Sequence, residues 1–218
     1  AGALTGRTTP MTARGRRGPE QLLADIRAAA VEELCLVGVG RLSMAGIAQR
    51  SGTARTSLYR RWSAPIDIVL DALEHDFPQE TVSPGTDDLR GDLVRALVSL
   101  AEWTATPTAR AAAAILTERD RHPELADALY TRVFDPKGGR FTRTVLTHYA
   151  EHGHIDPSLV NDVVVDIGEA LVLKHLSDTG RVPTRAHLER IVDHAILPAV
   201  GRPPRGACPE DDSRHPVS

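Results

Sequence analysis

Residues 43–62 read Ser-Met-Ala-Gly-Ile-Ala-Gln-Arg-Ser-Gly-Thr-Ala-Arg-Thr-Ser-Leu-Tyr-Arg-Arg-Trp. Hydrogen-bond donors crowd this stretch without an acid among them: Thr53, Arg55, Thr56 and Ser57, then Tyr59, Arg60 and Arg61. Such a density of hydroxyl and guanidinium groups suits a surface that meets phosphates and base edges. The elements that must hold these groups follow from the apolar residues. Ile47 and Ala48 give a first short helix its inner side, and Ala48 is small enough for a second helix to cross closely over it. Gly52, four residues later, supplies the positive-φ residue that a tight inter-helix turn needs. Leu58, ten residues beyond Ala48, closes the small core from the second helix. The segment is expected to be a helix-turn-helix that lays its second helix on DNA.

Charge is divided along the chain in the same sense. Residues 1–62 carry ten arginines against four acids, a balance of +6, whereas the remainder carries −9 within a total of −3. A basic third joined to an acidic body points to one polyanion-binding region and one region with another task. The 218 residues are enough for one or two domains with a real core, and the Ala-, Leu-, Val- and Arg-rich composition favours helices. Cys35 and Cys208 make no disulfide framework; Cys35 is expected on a buried helix face, and a reducing cytoplasm is the natural location. No apolar run approaches the roughly 18 residues needed to span a bilayer, so no membrane association is expected. Met11 is a candidate initiator.

Helical periodicity runs through most of the chain. Residues 1–18, with Arg14, Arg16 and Arg17, read as a mobile basic arm. A helix from Pro19 to about Val37, the helix-turn-helix with Ser43 as N-cap, and a helix opened by Pro65 fill a DNA-binding domain over 19–77. A connector at Pro78–Gly85 leads to a helical body over 86–200, and 201–218 read as a disordered tail. The helix ending near His75 and this connector are expected to be the sole links between the two parts. The fold class is all-α.

The segment from Asp156 to about Ser177 reads as one helix whose apolar residues cover most of its circumference, so it must be buried on two sides. A final helix capped by Thr184 offers more of the same surface. Two such helices from each of two chains would make a four-helix homodimer interface through Val160, Val164, Ile167, Leu171, Leu188, Ile191, Val192 and Ala195. Full burial inside a monomer is the alternative.

The head, over about Pro19 to Phe77, resembles the TetR family of one-component transcriptional regulators. The resemblance rests on Ile47-Ala48, Ser51-Gly52-Thr53 and Leu58-Tyr59-Arg60-Arg61-Trp62, followed by an apolar helix ending in Asp71-Ala72-Leu73. It implies a homodimer on a double-stranded operator, with a three-helix head and a variable body that senses a small molecule. By the same resemblance, Ser43 and Tyr59 meet phosphates, Arg55, Thr56 and Ser57 lie on the exposed recognition helix, and Trp62 closes the head's core. Two positions depart from the pattern. Ala64-Pro65 stands where the family has a serine cap and a phosphate-anchoring lysine, and Ala54 replaces a capping hydroxyl, a role left to Thr53.

Other constellations are weaker. His148 and His152, four apart with Glu151 between and His154 beyond, have metal-ligand spacing, but ordinary surface histidines are the favoured reading and no metal or cofactor is expected. Asp162, Asp166 and Glu169 share a helix face that could attract a cationic ligand, although a solvated stripe is favoured. Trp103, Ile115, Phe141, His148 and Tyr149 are the candidates to line a pocket for a small, largely apolar effector in the body. Nothing in the pattern argues for catalysis. Three classes stay open: a ligand-responsive repressor, which is favoured, a DNA-binding regulator without a small-molecule ligand, and a helical enzyme or metal-binding protein.

Overall fold

The computed structural model describes residues 18–83, 85–138 and 141–202, and among them there is helix and turn but no strand. The expected basic arm with Arg14, Arg16 and Arg17 lies outside the described residues, as does the tail from 203 onward. Helix α1 (Pro19–Val37) is the centrepiece of the head. Pro19 opens it where a missing N–H costs nothing, and Gly38 ends it at φ 76°, its N–H bonded to Leu34 O. Ile26, Ala30 and Leu34 turn inward along one stripe, against α2 (Met44–Ser51) and α4 (Pro65–Asp76). Cys35, expected on that stripe, is exposed. Leu34 takes the inner position, and the next two residues swing outward on the helical turn, leaving Leu36 69% exposed.

Two ion pairs fix the angles within the head. Arg27 Nε of α1 lies 3.1 Å from Asp71 Oδ2 of α4. Glu33 of α1, nearly buried, takes Arg50 Nη2 of α2 at 3.0 Å. The Glu33 carboxylate sits directly over Gly46, where a Cβ would lie 1.9 Å from its Oε1, so glycine permits the close approach of α1 and α2. Short α3 (Arg55–Tyr59) crosses α2 and drives Leu58 fully into the core.

The body is built around α5 (Leu89–Thr104), whose Leu93, Leu97 and Leu100 are buried. Around it lie α6 (Pro107–Thr117), α7 (Pro123–Leu129), α8 (Phe141–Glu151), α9 (Asp162–Thr179) and α10 (Arg185–Ile191). Two π-helical stretches, Tyr130–Phe134 after α7 and Val192–Ile196 after α10, each end two residues before a proline, Pro136 and Pro198. A proline removes a helical N–H and crowds the preceding turn, and the helix widens there. The expected single helix from Asp156 is interrupted. Asp156 caps one 3₁₀ turn (Pro157–Leu159), and Asn161 then caps α9 afresh, its Oδ1 accepting from the N–H groups of Val163 and Val164 at 3.1 Å each. An asparagine side chain competes with the backbone for those donors and restarts the helix.

Head and body share one continuous core. Besides α4 and the connector, α1 lies along α6, and Arg132 Nη1 reaches Asp67 Oδ1 at 3.7 Å. The connector is therefore not the sole link, because α1 is long enough to extend past the head onto the body.

Candidate nucleic-acid interface and cavity

The donors noted in the sequence lie on and around α3. The Ser43 hydroxyl oxygen accepts from Gly46 N–H at 3.1 Å and starts α2, placing Ser43 at the helix N-terminus. Gly52 ends α2 in the left-handed region, φ 64° and ψ 32°, and turns the chain into α3. Arg55, Thr56, Tyr59, Arg60 and Arg61 are then exposed, with Tyr59 at 60%, while Thr53 and Ser57 are half-buried. Between Glu33 and Asp67 no acid occurs; of the arginines in that interval Arg50 is paired with Glu33, while Arg41, Arg55, Arg60 and Arg61 are exposed. The surface is therefore cationic at and around α3. Trp62 is half-buried and packs onto the core beneath it.

The capping departures resolve differently from one another. Thr53 does not take over as the cap of α3: its Oγ1 is buried without a hydrogen-bond partner, and Ala54 occupies the N-cap. At α4 the missing serine is offset by Asp67, whose Oδ2 accepts from Ala64 N–H at 2.9 Å.

In the body, Phe77, Trp103, Tyr130, Phe134 and Phe141 surround a cavity of about 260 Å³, completed by Leu100, Asp166, Glu169, Ala170 and Leu173. Phe77 is central, its ring centroid 4.9 Å from those of Trp103 and Phe134 and 5.5 Å from that of Phe141. It is also the residue that ends α4, so the helix that carries the head terminates in a wall of the cavity. Beside this wall, burial pushes the Glu80 carboxyl up to about 7; the hydrogen bond from Thr144 and nearby Arg143 lower it, and Glu169 raises it. Glu80 N–H bonds to Lys137 O at 3.0 Å, tying the connector to the turn after the π-helical stretch.

Of the five residues expected to line this cavity, Trp103 and Phe141 do so and three do not. Ile115 is fully buried in the core, because its face of α6 is covered by other helices. The Tyr149 hydroxyl is engaged by Asp92 and Asp88, and His148 Nε2 faces Gly85 O at 3.3 Å. His154 Nε2 lies 2.7 Å from Thr86 Oγ1, so the histidines of α8 and the following loop brace the connector. Phe77, Tyr130 and Phe134 were not foreseen. The four-residue spacing of Tyr130 and Phe134 before Asp135-Pro136 was the available signal, and their closeness to Phe77 arises only in the fold.

The expected interface helices divide likewise. On α9, Val163 is 76%, Leu171 39% and Leu173 43% exposed, and Val164 and Ile167 are half-buried. Val160 and Ala195 are also half-buried. Leu188, Ile191 and Val192 are instead buried in the chain's own core, where α10 meets α5 and α9. A groove with Leu171, Ile191 and Ala195 at its base and His175, His187, His194, Lys174, Asp178 and Arg190 around them remains open between α9 and the segment from α10 onward. His175 and His187 stack across it at 4.4 Å, and desolvation, then the neighbouring His175 and Arg190, hold His187 below the usual histidine range.

Comparison with known proteins places both halves. Residues 26–64 match the family described as bacterial regulatory proteins, tetR family, and residues 83–195 match the tetracyclin repressor-like C-terminal domain. An uncharacterized HTH-type transcriptional regulator of Mycobacterium tuberculosis is 28% identical over 165 residues, 76% of this chain and 81% of that protein. The DNA-binding transcriptional repressor TetR of Mycobacteroides abscessus is 26% identical over 190 residues, 86% and 96% of the two chains. A TetR transcriptional regulator from Agrobacterium tumefaciens has the same fold, with a TM-score of 0.61 at 17% identity over 84% of this chain and 94% of that one. No helix among the described residues is long and apolar enough to cross a membrane. The chain belongs to the TetR family of DNA-binding transcriptional regulators, a class without enzymatic activity.

Proposed function

We propose that this chain is a homodimeric repressor whose operator is released when a small, largely apolar effector enters the aromatic cavity. The observation that carries this reading is Phe77, which closes α4 and forms the centre of the cavity wall. A ligand that displaces its ring acts on the end of the helix that bears the head. The exposed apolar face of α9 supports a two-fold partner, which would set two α3 helices about 34–40 Å apart on a pseudo-palindrome. In this reading Arg55 and Thr56 read bases, Ser57 lies on the same helix and Thr53 beside them in the turn, and Ser43, Tyr59, Arg60 and Arg61 hold phosphates together with Arg14, Arg16 and Arg17 of the arm. The effector must favour one dimer geometry over the other, and a factor of about 10² in affinity between states suffices.

The test begins with the purified chain selecting duplexes from a random pool, followed by fluorescence anisotropy on the selected operator. A panel of small hydrophobic compounds should release the DNA from the native protein. Filling the cavity with Ala170→Trp should leave operator affinity intact and abolish release. Release that persists in the filled variant would place the effector elsewhere.

A further inference from the structure

We propose that the two-fold pair is acid-sensitive: histidine protonation in the groove beside α9 drives the two copies apart and so releases the operator. This rests on the homodimer reading above. The groove holds Leu171, Ile191 and Ala195, three of the apolar residues on the face assigned to the partner, together with His175, His187 and His194. His175 and His187 are half-buried and His194 is exposed. A second copy seated on Leu171 therefore takes water from the imidazole rings beside it as well.

The geometry within one protomer already fixes one of these rings as neutral. Arg190 Nη2 lies 3.1 Å from His187 Nδ1. A guanidinium has donors alone, so Nδ1 accepts and the ring proton sits on Nε2. A second proton on His187 breaks that bond and sets imidazolium against guanidinium. His175, its ring centroid 4.4 Å away, adds a like charge when it protonates in turn. Desolvation first, then His175 and Arg190, already hold His187 below the usual histidine range. The nearby acids are committed elsewhere: Asp178 pairs with Lys174, Glu189 with Arg185 at 3.1 Å, and Asp193 with Arg90 at 2.6 Å. With Lys174 and Arg190 against Asp178, the groove carries +1 when its histidines are neutral and +4 when all three are protonated. Two-fold symmetry repeats that charge on the second copy. Like charges brought together out of water oppose association, whereas neutral imidazoles beside apolar side chains favour it. The dimer therefore binds fewer protons than two monomers. Association is full above the histidine range and is lost as pH falls through it.

Sedimentation equilibrium on the full chain at pH 7.5 and 5.5, at matched ionic strength, reads the switch. The native dimer Kd should rise at least tenfold on acidification with helical circular dichroism unchanged, and operator binding by anisotropy should weaken in parallel. The His175→Gln, His187→Gln, His194→Gln variant should keep one Kd at both pH values, because glutamine offers Arg190 an acceptor and takes no proton. His187→Gln alone should already shrink the response at least threefold. His148→Gln, His152→Gln, on α8, should respond as the native chain does. A native dimer of equal strength at both pH values would overturn the switch and leave the homodimer standing. A native chain that is monomeric at pH 7.5 and micromolar concentration would overturn the homodimer and the switch with it. An undiminished response in the groove variants would assign the effect to other groups and overturn the proposal.

Discussion

The Tyr149 hydroxyl donates to Asp92 Oδ2 across 2.9 Å, joining two buried residues 57 positions apart. Asp92 Oδ1 also accepts from Ser83 N–H at 3.2 Å and Ser83 Oγ at 2.7 Å, and from Arg95. Asp88 N–H in turn donates to Tyr149 Oη at 3.2 Å. Burial alone would raise Asp92, but the bonds from Ser83, Arg95 and Tyr149 outweigh it and leave the carboxyl below the usual range. Burial first, then Asp92, pushes Tyr149 up to about 12. This node holds the connector's end against α5 and α8. Tyr149→Phe leaves the carboxylate short of one donor and should cost about 1.5–3 kcal/mol in urea unfolding. A change under about 0.5 kcal/mol would mean water replaces the hydroxyl without loss. Because Asp92 is depressed, its share of stability is present above the unfolded carboxyl value and is lost as pH falls through the folded one.

Glu80 has the opposite sign. Its folded value near 7 lies above the usual 4.5, so the folded chain holds a proton that the unfolded chain has released. The stability this contributes is full below about 4.5 and is lost as pH rises through about 7. Glu80→Gln should therefore match the native protein at low pH and exceed it by roughly 1 kcal/mol at pH 8, after allowance for solvent screening of a half-buried group. Thermal melts across pH 4–8 check this. Parallel curves for the two proteins would show that Glu80 ionises normally.

Arg55 and Arg60 should separate on DNA. Arg55→Ala is expected to cost about 1–3 kcal/mol at one base pair and relax specificity there. Arg60→Ala should weaken all duplexes alike and flatten the salt dependence. Anisotropy on an operator and its single-base variants distinguishes them, and exchanged behaviour would reverse the two roles.

The outward face of α9 can be tested without harming the protomer. Leu171, 39% exposed, tolerates Arg in a monomer, whereas Leu188, 2% exposed, does not. Leu171→Arg should give a folded monomer by sedimentation with weakened operator binding. Leu188→Arg should unfold the chain, since it buries an unpaired charge. A dimeric Leu171→Arg protein would move the interface off this face.

Gly168 marks the tightest packing of α9. A Cβ there would lie 2.8 Å from Leu97 Cδ2, 3.0 Å from Thr142 Cγ2 and 3.1 Å from Ile196 Cδ1. Gly168→Val should destabilise by about 1–3 kcal/mol through overpacking. Gly168→Ala should cost less, because helix propensity gained offsets part of the crowding. Equal stability of Val and native protein in denaturant titrations would show that α9 shifts freely.

The sequence by itself determined the helices, the turn at Gly52 and the donor-rich face of α3, because caps, apolar periodicity and local charge act between residues a few positions apart. Ser43, Pro19 and Pro65 open helices where their chemistry requires. The restart at Asn161 was hidden, since Asp156-Pro157 is an equally good local start signal and the chain uses both caps in turn. Leu188 and Val192 looked like interface residues because an apolar stripe does not say whether its partner is another chain or the same one. The cavity belongs wholly to tertiary structure. Phe77, Trp103, Phe134 and Phe141 come from separate elements, and Asp166 and Glu169 read as a solvated stripe until α9 is laid beside those rings. Long-range packing decides which apolar and charged faces meet, and that information is spread over the whole chain.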